Sequence, residues 1–528
     1  MMSDESSEPY AALVETHTAV VFFVGDRAYK LKKPVEFGFL DFRQLDRREL
    51  ACRREVDLNA RLAPDVYLGV ARLVAGADGP GEPLVAMRRL PAARRLANLV
   101  AAGVDVRDDL RLVARRLAAL HALAASSPEI EAAATRDATA ARWEANASEM
   151  APFIGSILDP VVADGVICLA RRYLDGRASL FAGRIAGGRI KDGHGDLLAE
   201  DIFCLQDGPR ILDCIEFDDR LRWGDQLADA AFLAMDLERL GRADLAAFFL
   251  GSYREFAADS WPASLAHHYV AYRAQVRAKV ACLRAADSHG APAAAASDLM
   301  ALALRHLDAG RIRLILVGGL PGTGKTTLAA GLGDALQAVV LRSDEVRKQE
   351  AGLDVSDRCP APPGRGLYTP QATGAVYAQL LARARTCLTN GHSVVLDASW
   401  QVPAWRQRAE HLAGETAADL SQLYCVAGPE ERLARIRRRM LEGRDPSDAT
   451  AAVAKAMAAA EVPWPAATVI DTGPTPDVVL QAALAFVGAD SSEVPGGGHE
   501  DGHWSRSTPA SPQKRAKDTG FRPSPVAR

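Results

Sequence analysis

The 528-residue chain has no Cys-x-x-Cys pair, no Cys/His cluster at zinc spacing and no surplus of positive charge. It also has no apolar run approaching the ~18 residues that a membrane span needs. Each absence excludes something. The eight cysteines (Cys52, Cys168, Cys204, Cys214, Cys282, Cys359, Cys387 and Cys425) lie far apart, which fits a reducing compartment and argues against a disulfide framework or a structural zinc site. With 63 Lys plus Arg against 67 Asp plus Glu the formal net charge is −4, so there is no general basic surface to hold a nucleic-acid backbone. The opening residues, Met1 to Glu8, are acidic and lead into no apolar segment. The expected location is therefore cytoplasmic, with no membrane partner.

What is present is ordinary globular chemistry: 48% of residues are hydrophobic and 25% charged, and a chain this long holds several domains. Over 10–307 the pattern predicts a small sheet-rich lobe and then a helical one. Gly25-Asp26 separates two β-like stretches, a helix is expected over 45–62, and Glu82 to Leu90 reads as another strand. Helical spacing runs over 106–180 and 226–307, with strands expected at Arg189-Ile190 and from Ile211 to Phe217. Helix breakers in 288–297 suggest a joint between two halves. Over 308–488 strand, glycine loop, helix and strand alternate, the signature of βαβ units around a parallel sheet. The fold class expected is α+β and two-lobed, then α/β. The tail, 489–528, has too little apolar surface to order itself and is expected to be disordered.

Gly319-Leu320-Pro321-Gly322-Thr323-Gly324-Lys325-Thr326 satisfies G-x-x-x-x-G-K-[ST], follows an apolar run ending at Val317 and opens a helix at Thr327. Such glycines let backbone N–H groups face the α/β-phosphates at a helix N-terminus, while Lys325 reaches the β/γ oxygens and the Thr326 hydroxyl ligates Mg²⁺. ATP and Mg²⁺ are the expected cofactors. Asp344 follows a predicted strand, where ligands of open α/β sheets bind; it reads as a general base for an acceptor hydroxyl or as a helix cap. Arg347, one turn later, reads as a contact to an anionic part of the acceptor. Asp397 ends Val394-Val395-Leu396 at the place of a Walker B carboxylate on Mg²⁺, and no Glu follows it, which argues against an AAA+ motor. Arg435 and Arg439 share one face of an Arg-rich helix, with Arg444 and Asp445-Pro446-Ser447-Asp448 beyond it. They read as a lid over a triphosphate or as a solvated face.

In these residues, 311–487 resembles the P-loop kinase group that includes gluconate kinase, polynucleotide kinase, chloramphenicol phosphotransferase and the zeta toxins. The resemblance implies Asp344 as base, Arg347 as a substrate contact, and Arg435 and Arg439 as lid residues.

A weaker constellation stands upstream. His194-Gly195-Asp196 is followed, twenty residues after Asp196, by Glu216 in Ile215-Glu216-Phe217. A catalytic-loop Asp that accepts a hydroxyl proton, then an acid that holds Mg²⁺, is the order of eukaryotic-type kinase folds. Lys30 on a strand and Glu55 on the next helix offer a phosphate-binding lysine and its ion-pair partner, with Lys32 as a rival. These residues resemble the aminoglycoside phosphotransferase and choline-kinase-like family over about 13–307. The whole chain resembles bacterial fusions of such a domain to a P-loop kinase. Asp196 is then the implied base and Asp201 and Glu216 the implied metal ligands. There are departures: Asp201 stands where that family has Asn, Glu216 where it has Asp, and no glycine-rich loop precedes Lys30. Asp218, Asp219, Asp225 and Asp229 read as solvated loop acids or a helix cap, and no function attaches to His267-His268 or to His499 and His503.

The activity expected is ATP- and Mg²⁺-dependent transfer of a γ-phosphoryl group to the hydroxyl of a small molecule, at the P-loop domain and at a second, kinase-like site. The alternatives are an N-terminal half that only binds a ligand and regulates the other, or a P-loop half acting on a nucleotide or a nucleic-acid end. Oligomeric state and the identity of the acceptor are not written in the sequence.

Overall fold

The computed structural model describes residues 9–488, apart from 17, 38–39, 75–80, 288–292, 355–356, 358–364, 443–446 and 448. The tail, Cys359, Arg444, Asp445 and Asp448 therefore lie outside the described residues.

The first lobe is an antiparallel five-stranded sheet in the order β1-β2-β3-β5-β4, made of β1 (Ala11–Glu15), β2 (Ala19–Val24), β3 (Arg27–Lys32), β4 (Tyr67–Leu73) and β5 (Glu82–Arg88). Gly25-Asp26 closes the β2–β3 hairpin, with Val24 opposite Arg27. Helix α1 (Leu45–Asn59) packs on β4 and β5 and presents Cys52, Glu55 and Asn59 to the interior. The second lobe is helical, with α2 (Arg107–Leu123) beside α3 (Gln226–Arg239), whose residues from Gln226 to Leu237 are all buried. A helix buried all round forms the middle of a core rather than its edge. The strand expected over 211–217 ends at once: β6 (Ile202–Leu205) pairs with β7 (Gly208–Ile211), and the chain then turns through Asp213 at φ +64°.

Helices α4 (Ala263–Asp287) and α5 (Ala293–Ala309) pack against each other. The stretch around 288–297 thus links two helices of the N-terminal half, and the chain crosses to the second sheet after Ala309. That sheet is wholly parallel, in the order β9-β10-β8-β11-β12, from β8 (Arg313–Gly319), β9 (Val339–Arg342), β10 (Val394–Asp397), β11 (Asp419–Val426) and β12 (Thr468–Asp471). Helices α6 (Lys325–Ala335), α7 (Ser343–Glu350), α8 (Pro370–Thr389), α9 (Pro403–Glu415), α10 (Pro429–Glu442) and α11 (Pro476–Phe486) connect and cover it. β8 is buried along its whole length and β10 likewise, as expected of central strands covered on both faces.

One apolar core runs through both halves, from Leu110 and Phe232 to Leu380 and Leu396. At the seam the fully buried Arg177 donates to the Thr416 carbonyl at 2.8 Å, Ser264 donates to the Gly391 carbonyl at 2.7 Å, and Arg172 pairs with Asp419 at 2.7 Å. A Cβ on Gly176 would stand 2.1 Å from the Thr416 oxygen, so only glycine fits there. Gly176→Ala is expected to cost about 1–3 kcal/mol through overpacking. A lower chemical-denaturation midpoint of the full chain checks this. Among the described residues no helix is long and apolar enough to cross a membrane.

Candidate active sites

The loop between β8 and α6 is a cradle. Gly322 sits at φ +82°, and a Cβ there would meet the Arg432 carbonyl at 2.6 Å. Lys325 folds back to donate to the Leu320 carbonyl at 3.0 Å, and the Thr323 hydroxyl donates to the same oxygen at 2.8 Å. β8 and β10 are direct neighbours, with Val317 opposite Asp397, so the Thr326 hydroxyl donates to the Asp397 carboxylate at 2.7 Å with no strand between them. Burial raises the Asp397 pKa, against the pull of Lys325, Thr326 and Arg342. A hydroxyl and a carboxylate one hydrogen bond apart beside an ammonium are the donor set that fits a Mg²⁺ ion with phosphates, since Mg²⁺ keeps water and takes few protein ligands.

Asp344 stands in the first turn of α7, half-buried, with its charge acting on both Asp397 and Tyr377. Arg347 is buried; it donates to the Leu367 carbonyl at 2.8 Å and lies 4.7 Å over the Tyr368 ring. In this arrangement its guanidinium ties α7 to the segment that opens α8. Arg435 reaches the cradle: its Nη1 donates to Thr472 Oγ1 at 3.2 Å, and a Cβ on Gly324 would be 3.3 Å from that nitrogen. Arg439 donates instead to the Ala449 carbonyl at 2.9 Å, beyond the loop that follows α10. The two lid candidates therefore contact different segments. Trp400, at φ +53°, is held by its N–H donating to the Tyr377 hydroxyl at 3.0 Å, and Tyr377 stacks on Trp405 at 5.4 Å. A left-handed non-glycine residue beside a candidate site is the kind of strain that surrounding packing must hold in place.

In the N-terminal half both β3 lysines meet Glu55. Lys30 lies 2.9 Å from one carboxylate oxygen and Lys32 2.5 Å from the other. Glu216 pairs with Lys32, and Lys30 is 2.5 Å from Asp213. One carboxylate oxygen of Glu216, the residue expected to hold metal, meets the buried Lys32. The carboxylate on Lys30 is that of Asp213, because the chain turns three residues earlier than an extended strand would. Burial opposes the charge on Lys30, but Asp213 and Glu55 outweigh it and raise the pKa well above the usual lysine range. Lys30 in turn holds Asp213 below the ordinary range, while burial lifts Asp201, with Asp213 and Asp196 adding to the rise. Asp213 is positioned by the Tyr67 hydroxyl, which accepts from its N–H at 3.3 Å, and by Asn59, which accepts from Cys214 N–H at 2.9 Å.

The Asp196 loop is anchored from beneath. Asp229, buried rather than solvated, accepts from the N–H groups of His194 (2.7 Å) and Gly195 (2.8 Å) and from His121 (3.0 Å), which bonds Tyr253 in turn. Asp225 is also buried; it caps α3 and pairs with Arg184. His194 contacts the Leu212 carbonyl at 3.0 Å, tying the Asp196 loop to the turn that carries Asp213. Asp196 itself is half-buried, its side chain 34% exposed, its pKa pushed up to about 6 by loss of hydration. Among the described residues no three acidic, histidine or cysteine side chains converge as a ready metal cage. A Mg²⁺ ion bound chiefly through nucleotide phosphates does not require one.

Comparison with known proteins adds kinship. Over 480 residues the chain is 43% identical to the uncharacterized protein Rv2004c of Mycobacterium tuberculosis, covering 90% of this chain and 95% of that protein, and equally to Mb2027c of Mycobacterium bovis. The chain belongs to their family. Residues 314–463 match a family model described as an AAA domain, and this is the segment that carries the cradle, Asp344 and Asp397. Among solved structures, a sugar kinase from Janibacter is similar at 17% identity, covering 35% of this chain and 99% of that one, with a TM-score of 0.27. A choline/ethanolamine kinase family protein from Mesorhizobium loti is similar at 15% identity over 57% of this chain and 93% of that one, with a TM-score of 0.35. The cradle geometry and the family match make 314–463 a P-loop domain.

Two positions that the structure brings to the candidate sites escape the sequence reading. Thr472, in Asp471-Thr472-Gly473 after β12, donates to the Thr323 carbonyl of the cradle at 2.7 Å; a small polar residue closing an apolar strand was its only signal. Asp213 was hidden inside an apparent strand.

Proposed function

We propose that the chain is an ATP- and Mg²⁺-dependent phosphotransferase whose C-terminal P-loop domain moves the γ-phosphoryl group to a hydroxyl of a small molecule. The Thr326–Asp397 hydrogen bond of 2.7 Å beside Lys325 carries this reading. The cradle from Gly319 to Thr327 holds the phosphates, with Leu320, Pro321, Gly322, Thr323 and Gly324 supplying backbone, and Thr326 and Asp397 hold the metal shell. The acceptor oxygen forms a bond to the γ-phosphorus as the bond to the β–γ bridging oxygen breaks, and its proton passes to Asp344, leaving ADP and a phosphate ester. Arg435 steadies charge at the phosphates. Arg347 shapes the acceptor side, and Arg439 holds the segment that closes over it.

A second transfer site in the N-terminal half is favoured by the Lys30–Glu55 pair together with Asp213 and the half-buried Asp196. Lys30 would bind phosphate, Asp201, Asp213 and Glu216 would hold a Mg²⁺ ion that supplies charge to the phosphates, and Asp196 takes the acceptor proton. A base must be ionised to work, so kcat/KM at this site is expected to rise about tenfold per pH unit up to about 6 and to level above it. A pH profile of the Lys325→Ala chain measures this.

The deciding experiment is a panel of metabolites and antibiotics scored for ATP-dependent phosphorylation with wild type, Lys325→Ala and Asp196→Asn in parallel. Loss confined to Lys325→Ala assigns transfer to the P-loop site alone, and loss in neither variant refutes both sites.

A further inference from the structure

The helix face beside Asp196 is cationic. α4 carries Arg273, Arg277 and Arg284 at spacings of four and seven residues, which place all three on one stripe of the helix. Arg277 approaches Asp196 at 3.9 Å, beyond hydrogen-bond reach, with its side chain 23% exposed. Arg273 donates to the carbonyls of Ala228 (3.0 Å) and Gly195 (3.4 Å) and lies 4.7 Å over the Phe232 ring; among the described residues no carboxylate lies within ion-pair distance of it. Arg284, exposed at the outer end of the stripe, interacts electrostatically with Asp196 and Glu200. Three guanidiniums thus stand along the α4 side of Asp196.

This arrangement is wrong for a cation. An ammonium-bearing acceptor would face Arg277 at close range, and the acids on this side, Asp196 and Glu200, already face guanidiniums, Asp196 that of Arg277 and both that of Arg284. It suits an anion, because a guanidinium presents paired N–H donors that match phosphate or carboxylate oxygens. We infer that the N-terminal site takes an anionic acceptor, a small molecule carrying a free hydroxyl together with a phosphate or carboxylate group, whose anion is held by Arg277 with Arg273 behind it. This rests on reading that site as one of phosphotransfer.

The test uses the full chain carrying Lys325→Ala, so that ADP formation reports the N-terminal site alone. Four probes are compared: a sugar monophosphate, glycerate, glucose and kanamycin. The expected result is phosphorylation of the sugar phosphate or of glycerate, the two arms separating phosphate from carboxylate recognition. Arg277→Gln should raise KM for that acceptor about tenfold or more while kcat moves much less, and Arg277→Lys should recover part of the loss. Preference for glucose or kanamycin overturns the inference, as does an unchanged KM in Arg277→Gln. If no probe is phosphorylated, calorimetric binding of the same probes decides. An anion bound by the Lys325→Ala chain and lost on adding Arg277→Gln sustains the anionic site while the transfer reading falls, and no anion bound overturns the inference itself.

Discussion

Lys325→Ala is expected to lower phosphoryl transfer by the C-terminal domain about 10²–10³-fold, or roughly 3–4 kcal/mol of transition-state stabilisation. The ammonium is already inside the cradle, on the Leu320 carbonyl at 3.0 Å, so a bound triphosphate draws it a short way from a neutral oxygen to charged ones. Its removal leaves charge on the transferring group without its nearest cation. The backbone N–H groups of the loop remain, so nucleotide binding weakens along with the rate. The measurements are ADP release in an Asp196→Asn background, which silences transfer by the other half, and Mg·ATP titration in a Lys30→Ala background, which removes that half's phosphate contact. Equal Mg·ATP affinity with and without Lys325 would remove the site from consideration.

Asp344→Asn is the second large effect. A positioned base contributes about 10²–10⁴ in rate, and the amide, similar in shape, cannot accept the proton. Asp344 is in the opening turn of α7 and away from the cradle glycines, so Mg·ATP affinity should stay nearly constant while kcat collapses. The split between an intact binding isotherm and lost turnover distinguishes a base from a helix cap, whose loss would instead lower stability by about 1 kcal/mol. Normal turnover by Asp344→Asn against the true acceptor would end its candidacy.

The two sites differ in how far the sequence discloses them, and the reason is physical. The cradle is local: eight consecutive residues form the loop, and the strand before and helix after are legible from their apolar runs, so Lys325 and Thr326 fall where spacing puts them. Asp397 needed one further step, since a carboxylate at the end of a buried strand is informative only when that strand lies beside β8. The N-terminal site is assembled from remote pieces. Lys30 and Lys32, two residues apart on β3, point to one face by the period of a strand, and only tertiary contact reveals that both meet Glu55. Glu216 reads as a metal ligand because it follows Asp196 by twenty residues in Ile215-Glu216-Phe217, where the resembled kinase family has its metal Asp. The chain in fact leaves the strand at Ile211, a positive φ turns Asp213 toward Lys30, and Glu216 is left with Lys32. Periodicity does not report where pairing stops. Asp229 was misplaced as a surface acid for a related reason: its partners, the His194 and Gly195 amides, come from a loop thirty-five residues earlier.

Arg177 carries a lesson about inheritance. Its guanidinium is sealed from water in the N-terminal half, yet an oxygen that neutralises part of its hydration loss belongs to Thr416 in the other. A gene cut after Ala309 would hand each product an unhealed wall, one with a stranded cation and the other with bare aliphatic side chains. Joining either piece to a new neighbour would require that wall to be rebuilt first.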